Sequence, residues 1–549
     1  MSPGEAADRA SVRDGAEVLV VGAGPVGLTV AHELARRGIR IRVVDRAPGP
    51  ADTSRALATH ARTLEIYDQM GVLDDLLARG RKVEHFTLHR NGRTLIRFDT
   101  DYSRLATRFP FTLMVDQQIT EEVLRTALAG LGVRIEWGVE LTGFKAGADG
   151  VRVALAGADG TRAEQDVGWL VGCDGGHSLV RKVLGLPLIG DSSETWLIAD
   201  AMVEVDLPQD SIHWMSVGGG TVMLVPFPEP GRWRLLDTAV AGDAGEAHEV
   251  GRRFAGKISR ALGRPVRVHT PTWVSVFSIQ QRMVPAMGSG RCFVAGDAAH
   301  VHSPASGQGM NTGIQDGYNL AWKLAMAVRG LAGPGFLESY PAERVPIGRA
   351  LLSSTKNATA LVALRNSALS GLMPFGLAFV NAVPAVKSRI ERTIMASMSG
   401  LRLGYPDSPL TGTGDGRPGP GDRVARFEAA AAASPGCAAL LDELRDPRWT
   451  FLVFADPGFE RDAASMSERH AAWLSVRTVA ASPDGVPGRL ADPDGRLAAE
   501  LDAAAGTWLL IRPDGYLAAR SGGGAGRALD DYCAEFGIAV PAPGAAVAR

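Results

Sequence analysis

Cysteine is scarce in this chain. Only Cys173, Cys292, Cys437 and Cys533 occur in 549 residues, far apart and without a CxxC pair. That spacing argues against a disulfide framework or a cysteine-based zinc site and suits reduced thiols, so a cytoplasmic location is expected. An excess of one charge is also missing, since 58 Lys+Arg face 60 Asp+Glu. No basic face is advertised, and nucleic acid is not an expected partner. Residues 4–17 carry charges throughout and offer no apolar core of the secretory kind. The one long charge-free stretch, between Arg365 and Lys387, is interrupted by Asn366, Pro374, Asn381 and Pro384. It reads as a buried or subunit-contacting helical segment rather than a membrane span. No internal repeat appears, no second GxGxxG stands in mid-sequence between a strand and a helix, and no His or Cys set stands at metal spacing, so no metal is expected.

Several ordered motifs are present. Glu17–Val21 reads as a buried strand, followed by GAGPVG, an apolar-periodic helix through Ala35 and a second strand, Ile39–Val44. That is a βαβ unit. Gly22 permits the tight turn, Gly24 lets the backbone approach a pyrophosphate, and Gly27 lets the helix pack on the sheet, with Pro25 and Val26 between them. Asp45 ends the second strand, where it can take the hydroxyls of an adenosine ribose without a 2′-phosphate, as in FAD or NAD. Far downstream, Cys292 to Ala321 read as strand, loop and helix: Phe293–Ala295 end at Gly296-Asp297, and Gln308–Asn311 lead into a helix. An acid at a strand end can accept hydroxyl protons, and N–H groups at a helix start can hold an electron-rich edge. This is half of a nucleotide-cofactor site, ~270 residues after the other half. Between them stands CDGGHSLVR, where Asp174 ends a short buried strand and Ser178 is a candidate N-cap.

The remainder reads as follows. Ile119–Leu131 is a helix, Val133–Glu136 a strand, and Val139–Phe144 with Gly150–Leu155 a hairpin. Residues 195–280 alternate apolar and polar with Pro and Gly punctuation, as in a mostly antiparallel sheet. Residues 315–400 are mainly helical. TGTGDGRPGPGD, residues 411–422, reads as a linker, and beyond it two strands, Trp449–Phe454 and Thr507–Ile511, suggest a small α/β module.

GAGPVG, CDGGHSLVR and GDAAHVHSPASGQGMN, in that order, resemble the flavin-dependent aromatic hydroxylases, the single-component (group A) flavoprotein monooxygenases. SRALATHARTLEIYDQMGV (54–72) and SYPAERVP (339–346) extend the likeness over essentially the whole chain. It is nearest to the longer members with a C-terminal thioredoxin-like domain, such as phenol hydroxylase and polyketide hydroxylases. The resemblance implies an α/β fold of discontinuous plan. Residues 1–190 with 281–350 would form a Rossmann-like FAD-binding domain of glutathione-reductase type, and 191–280 an interposed substrate-binding sheet. A helical segment 351–410, the linker 411–422 and a thioredoxin-like domain 423–549 would follow. With no CxxC, that last domain is assigned to structure or subunit contact, as in a homodimer.

Residue by residue, the resemblance implies FAD held by Gly22, Gly24, Pro25, Val26 and Gly27 at the pyrophosphate and by Asp45 at the ribose. Arg46 and Arg55 would lie near adenosine and phosphates, with Gln117 as a further contact. Asp297 would meet a ribityl hydroxyl or the pyrophosphate side. Gly307, Met310 and Asn311 would present the flavin's N1/O2 edge with N–H groups. Asp174 and Arg181 would stabilise the site and help hold NADPH or NADH, which would reduce FAD. Oxygen would then give a C4a-hydroperoxide that a phenolic ring attacks. Two departures stand out: Ser306 replaces a Gly of the family's loop, and Leu57 lies in the block where phenol hydroxylase places an aspartate base. The base is therefore open, with His60, His213 and Pro304 as candidates and Trp214, Met215, Met223 and Phe227 near the ring. The substrate expected is a polycyclic phenol or naphthoquinone, an aromatic polyketide among them. Baeyer–Villiger oxygenation of a ketone and a non-catalytic flavin-binding protein are the alternatives.

Overall fold

Val18–Val21 reads VLVV and is buried at every position, as a strand covered on both faces must be. It pairs in parallel with Ile41–Asp45 on one side and Trp169–Gly172 on the other. Trp169–Gly172 in turn pairs in parallel with Cys292–Val294. The resulting six-stranded sheet runs Gly288–Ser289, Cys292–Val294, Trp169–Gly172, Val18–Val21, Ile41–Asp45, Ile135–Trp137. Its register decides the site. Val21 stands opposite Gly172 and Val44, and Gly172 opposite Val294. Three motifs dispersed through the sequence therefore leave the sheet at one edge, at the carboxyl ends of adjacent parallel strands, where α/β sheets place their ligands. The computed structural model describes residues 15–53, 56–99, 106–217, 220–238, 245–302, 307–363, 380, 382–454, 457–482 and 486–539.

The second large sheet has nine strands. Along its path lie His300–Val301, Trp273–Met283, Ile189–Glu204, Arg232–Asp237, Gly220–Pro226, Ser211–Val217, His85–Arg90 and Arg93–Asp99, with Arg267–Val268 off the path. The sequence reading placed this sheet within 191–280. The structure adds the hairpin His85–Asp99, whose first strand pairs in parallel with Ser211–Val217. Alternation gives the sheet two apolar faces. Leu197, Ala199, Met215, Leu224, Trp233 and Leu235 pack with Val250, Phe254 and Ile258 of helix Ala247–Leu262. On the opposite face Trp196, Ile198, Met223, Val225, Phe227 and Leu236 pack with Leu57, Val83 and Met114. The second face is the one that meets the segments carrying Leu57, Val83 and Met114.

The C-terminal body holds a five-stranded sheet ordered Arg489–Ala491, Leu474–Ala480, Trp449–Phe454, Trp508–Ile511, Leu517–Ser521. Three of these strands were not read from the sequence. Residues 411–422 are no free spacer. Gly412 N–H donates to the Ala518 carbonyl and Gly421 N–H to that of Leu517, so the segment lies along the body's outer strand. Most of the charge-free stretch, residues 364–379 and 381, falls outside the described residues. Among the described residues no helix is long and apolar enough to cross a membrane.

The run SYPAERVP explains how this body is attached. Glu343 accepts both Arg512 Nη1 and Nη2, at 2.7 and 2.9 Å, and Lys323 Nζ at 2.8 Å. Arg512 also donates to Asp514 at 2.6 and 3.0 Å, and Trp322 Nε1 reaches Asp514 at 3.1 Å. All these charges are buried. Burial would raise the Glu343 carboxyl, but the Arg512 and Lys323 cations outweigh it and hold the group well below the usual range. Removing one partner from such a cluster leaves an uncompensated buried charge, at a cost of ~3–5 kcal/mol. Arg512→Met is therefore expected to lower the unfolding free energy by that amount, read as a lower urea midpoint at unchanged slope, and Arg512→Lys, lacking the planar fork, to recover little of it. A midpoint unchanged in Arg512→Met would contradict this attachment.

Candidate active site

The glycine turn is built by close approach. Gly22 has φ +104°, and a Cβ there would fall 2.3 Å from the Cys173 carbonyl oxygen. A Cβ on Gly27 would fall 1.9 Å from the Gly22 oxygen. Neither residue can be anything larger without moving backbone. Gly24 differs, because no atom lies within 4 Å of its Cβ position. Its open side is where a ligand's phosphates could approach, over the start of helix Pro25–Ala35. Asp45 Oδ2 accepts the Ala23 N–H at 2.7 Å and Oδ1 accepts the Ala47 N–H at 2.8 Å. The carboxylate is thereby fixed at the strand end with lone pairs to spare. Arg46 is exposed beside it.

The late motif interlocks with this turn. Gly296 opens the short 3-10 turn Gly296–Ala298, and Asp297 is exposed at its tip. Cβ atoms built on Gly296 and Gly313 would lie 2.8 and 2.7 Å from Val26 Cγ2, and one on Gly317 3.0 Å from Val30. Three glycines of the second half-site thus form the seat for the first helix. Helix Gln308–Val328 starts at Gly307, which has φ +62°. Asn311 Oδ1 accepts the His60 N–H at 2.9 Å, while its Nδ2 donates to the Ala58 and Gly307 carbonyls, both at 2.8 Å. Asn311 therefore pins the helix start to the 58–60 segment. Met310 is half-buried there.

The middle motif braces both. Asp174 Oδ2 accepts the N–H groups of Leu179 at 2.7 Å and Val180 at 3.3 Å, so its carboxylate caps the helix Leu179–Val183. Its Oδ1 is buried with no hydrogen-bond partner among the described residues. Arg181 donates to the Ala298 carbonyl at 3.2 Å, tying this helix to the Asp297 turn. Gln117 Oε1 accepts the Ala56 N–H at 3.0 Å, and its Nε2 donates to Glu121 at 2.9 Å. Burial, with Asp45 nearby, raises the Glu121 carboxyl. Arg55, Pro304 and Ser306 lie outside the described residues.

Of the proposed bases, His60 is buried at the N-cap of helix Ala61–Met70, its Nδ1 3.4 Å from Thr112 Oγ1. A Cβ on Gly307 would stand 3.7 Å from His60 Nε2, so the ring borders the late helix start. His213 requires correction. It shares the helix-covered side of the sheet with Met215, its Nδ1 3.0 Å from His89 Nε2 and its Nε2 2.9 Å from the Pro208 carbonyl. Burial lowers its pKa, and it acts as a core histidine. Met215 is misplaced for the same reason, whereas Trp214, Met223 and Phe227 lie on the other side. That side also carries a feature the sequence reading missed. Arg234 donates to both oxygens of Asp200 at 2.8 Å, buried between Phe227 and Trp273. The signal was present in RWRLLD, where Arg234 alternates with the core residues Trp233 and Leu235. Among the described residues no group of His, Cys, Asp and Glu could hold a metal ion.

Comparison with known proteins shows the family. A family model described as FAD binding domain matches residues 15–355. Over 510 residues the chain is 58% identical to the 6-methylpretetramide 4-monooxygenase of Streptomyces rimosus, covering 92% of this chain and 91% of that one. It is 31% identical over 543 residues to the pentachlorophenol 4-monooxygenase of Sphingobium chlorophenolicum, with 95% of each chain covered. Among solved structures, the OxyS anhydrotetracycline hydroxylase from Streptomyces rimosus superposes with a TM-score of 0.73 at 29% identity, over 96% of this chain and 99% of that one.

The Val26 seat generates a prediction. Gly313→Ala overpacks it, at ~1–3 kcal/mol, and part of that strain is expected to appear as FAD affinity weakened about tenfold. Val26→Ala in the same chain makes room and should restore much of the loss. Flavin fluorescence titration checks both, and full affinity in the single variant would count against the seat.

Proposed function

This chain belongs to the FAD binding domain family and is a flavoprotein monooxygenase; on that premise we propose that it hydroxylates a polycyclic phenolic substrate of the aromatic polyketide class. The observation that carries the reading is the 58% identity, over nearly the full length of both chains, to a monooxygenase named for 6-methylpretetramide.

When bound, FAD would take a hydride from NADPH or NADH and deliver one atom of O2 to the substrate. The chain's own residues have separate tasks. The N–H groups at the start of helix Pro25–Ala35 would face the pyrophosphate and Asp45 the ribose hydroxyls. Asp297, exposed on its turn, would accept from a polyol or pyrophosphate-side hydroxyl. The start of helix Gln308–Val328, with its dipole, would favour negative charge on the flavin edge. Asp174, engaged as a helix cap, would act on the site through Arg181 and the Ala298 carbonyl. Among the described residues no second GxGxxG joins a strand to a helix, which supports transient nicotinamide binding in the shared groove.

The C-terminal body we read as a redox-inactive thioredoxin-like domain. Three parallel strands continued on one side by two antiparallel pairings support that reading. Cys437 and Cys533 are both buried free thiols, and burial pushes Cys533 up to about 12, so neither is a ready thiolate.

Incubating the FAD-loaded protein with NADPH, isotopically heavy dioxygen and 6-methylpretetramide is expected to add one labelled oxygen atom to the product, read by mass spectrometry. No labelled product from that compound or from other polycyclic phenols would refute the reading. Asp297→Ala is expected to lose FAD on gel filtration while keeping its circular dichroism spectrum. Undiminished occupancy would remove Asp297 from the cofactor contacts.

A further inference from the structure

Directly after the Asp297 turn, two histidines and a carboxylate form a buried chain. His302 Nε2 lies 2.7 Å from His300 Nδ1, and His300 Nε2 lies 2.5 Å from Asp316 Oδ2. The two rings are 4.6 Å apart between centroids and tilted by 35°. Asp316 is held from its other side by Arg344 Nε at 2.7 Å and accepts the Gly296 N–H at 3.2 Å. Arg344 in turn donates to Tyr405 Oη at 3.1 Å and the Thr312 carbonyl at 3.3 Å. His300, Asp316 and Arg344 are each about 1% exposed. The chain ends at His302 Nδ1, which is buried with no hydrogen-bond partner among the described residues. In sequence His302 stands between the Asp297 turn and the start of helix Gln308–Val328, so this unpartnered nitrogen belongs to the late motif.

Proton counting restricts what this chain can hold. Asp316, an ionised acceptor held by the Arg344 guanidinium, requires the proton on His300 Nε2. Burial alone would raise its carboxyl, yet His300 and Arg344 hold it below the usual range. The His300–His302 contact then has two arrangements. In one, His302 Nε2–H donates to a bare His300 Nδ1, and His302 Nδ1 is a free base. In the other, His300 Nδ1–H donates to His302 Nε2, His302 Nδ1 carries a proton, and His300 is an imidazolium against Asp316. One proton entering at His302 Nδ1 and one transfer across the 2.7 Å contact convert the first into the second, with no ring movement. A charge held on His302 itself is disfavoured: burial, then the neighbouring His300, push its pKa well below the usual value, and Asp316 offsets this only in part. The pair moves the charge to the carboxylate instead. Cys173 and Tyr340 also face Asp316, and burial raises both above their ordinary values, so they stay protonated.

Resting on the monooxygenase reading above, we propose that His302, His300 and Asp316 form a proton-accepting relay for the oxygenation site. His302 Nδ1 takes the proton of an acidic hydroxyl on the bound phenolic substrate, leaving the phenolate. The Nε2 proton of His302 passes to His300 Nδ1, and the charge is stored as the His300 imidazolium beside Asp316. The proton returns to oxygen by the reverse path after transfer. His302 is the group that meets the substrate; His300, Asp316 and Arg344 are positioning residues.

The test uses the FAD-loaded, histidine-15N-labelled protein. Nitrogen NMR across pH is expected to show His300 and His302 titrating as one coupled step, with a shared proton between His302 Nε2 and His300 Nδ1. His302→Gln, which cannot carry the charge, should abolish that step while FAD occupancy is retained. With 6-methylpretetramide as probe, His302→Ala should lower kcat by about a hundredfold, remove the acid limb of the pH profile, and regain activity with added imidazole. Independent titration of the two rings, or a parental pH profile in both His302 variants, would overturn the relay. If the parent protein fails to oxygenate that probe, the functional reading fails, and the NMR titration still decides whether the relay exists.

Discussion

The cofactor end of this protein depends on one close contact, the seating of Val26 against glycine. A side chain at Gly296 or Gly313 would collide with Val26, and one at Gly317 with Val30. The absence of these side chains lets helix Gln308–Val328 lie against helix Pro25–Ala35. Because the two helices follow motifs far apart in sequence, that approach joins the cofactor half-sites. Gly22 and Gly27 perform the same service one layer deeper, against Cys173 and against each other. The strand register alone brings the motifs to one edge; the glycines bring them to ligand-holding distance.

Electrostatics complete what packing begins. The run SYPAERVP sends adjacent side chains to different tasks: Glu343 to Arg512 of the C-terminal body, and Arg344 to Asp316 behind the Asp297 turn. Buried ion pairs of this kind add little net stability over well-packed apolar groups, but they penalise misplacement heavily. Their value here is positional. Lys323 and Trp322, on the same long helix as Asn311, also contact the cluster. The C-terminal body is therefore bonded to the long helix that begins after Gly307.

The sequence disclosed those features whose physics is local. A glycine turn, an acid at a strand end and a glycine-initiated helix each need particular residue types at fixed spacing, so Gly22, Asp45, Asp297 and Gly307 were legible as candidates. Sidedness was not. His213 and Trp214 are neighbours on one strand, and alternation says only that they point oppositely. Which face helix Ala247–Leu262 covers is settled by tertiary packing, and it put His213 in the core. The hairpin His85–Asp99 escaped for a related reason, since its sheet partner Ser211–Val217 is remote in sequence. Glu343 and Arg344 stood out as a motif, but buried charge has no sequence signature of its partner. The 411–422 segment looked like a spacer by composition, and its glycines instead allow backbone pairing along the Leu517–Ser521 strand.

The same turn that offers Asp297 outward also donates the Gly296 N–H inward to Asp316. Asp316 therefore belongs to both the scaffold and the proposed relay. Its two oxygens are allotted differently: Oδ1 to Arg344, and Oδ2 to the Gly296 N–H and His300. Rotation of the carboxylate would cost the scaffold bonds before it freed His300. Two adjacent imidazoles, by contrast, can exchange a proton with no heavy atom moving. A buried site that must keep a tightly seated cofactor fixed has little freedom to shift side chains during turnover. A histidine pair anchored on a scaffold carboxylate meets that constraint, because the charge moves and the structure stays still.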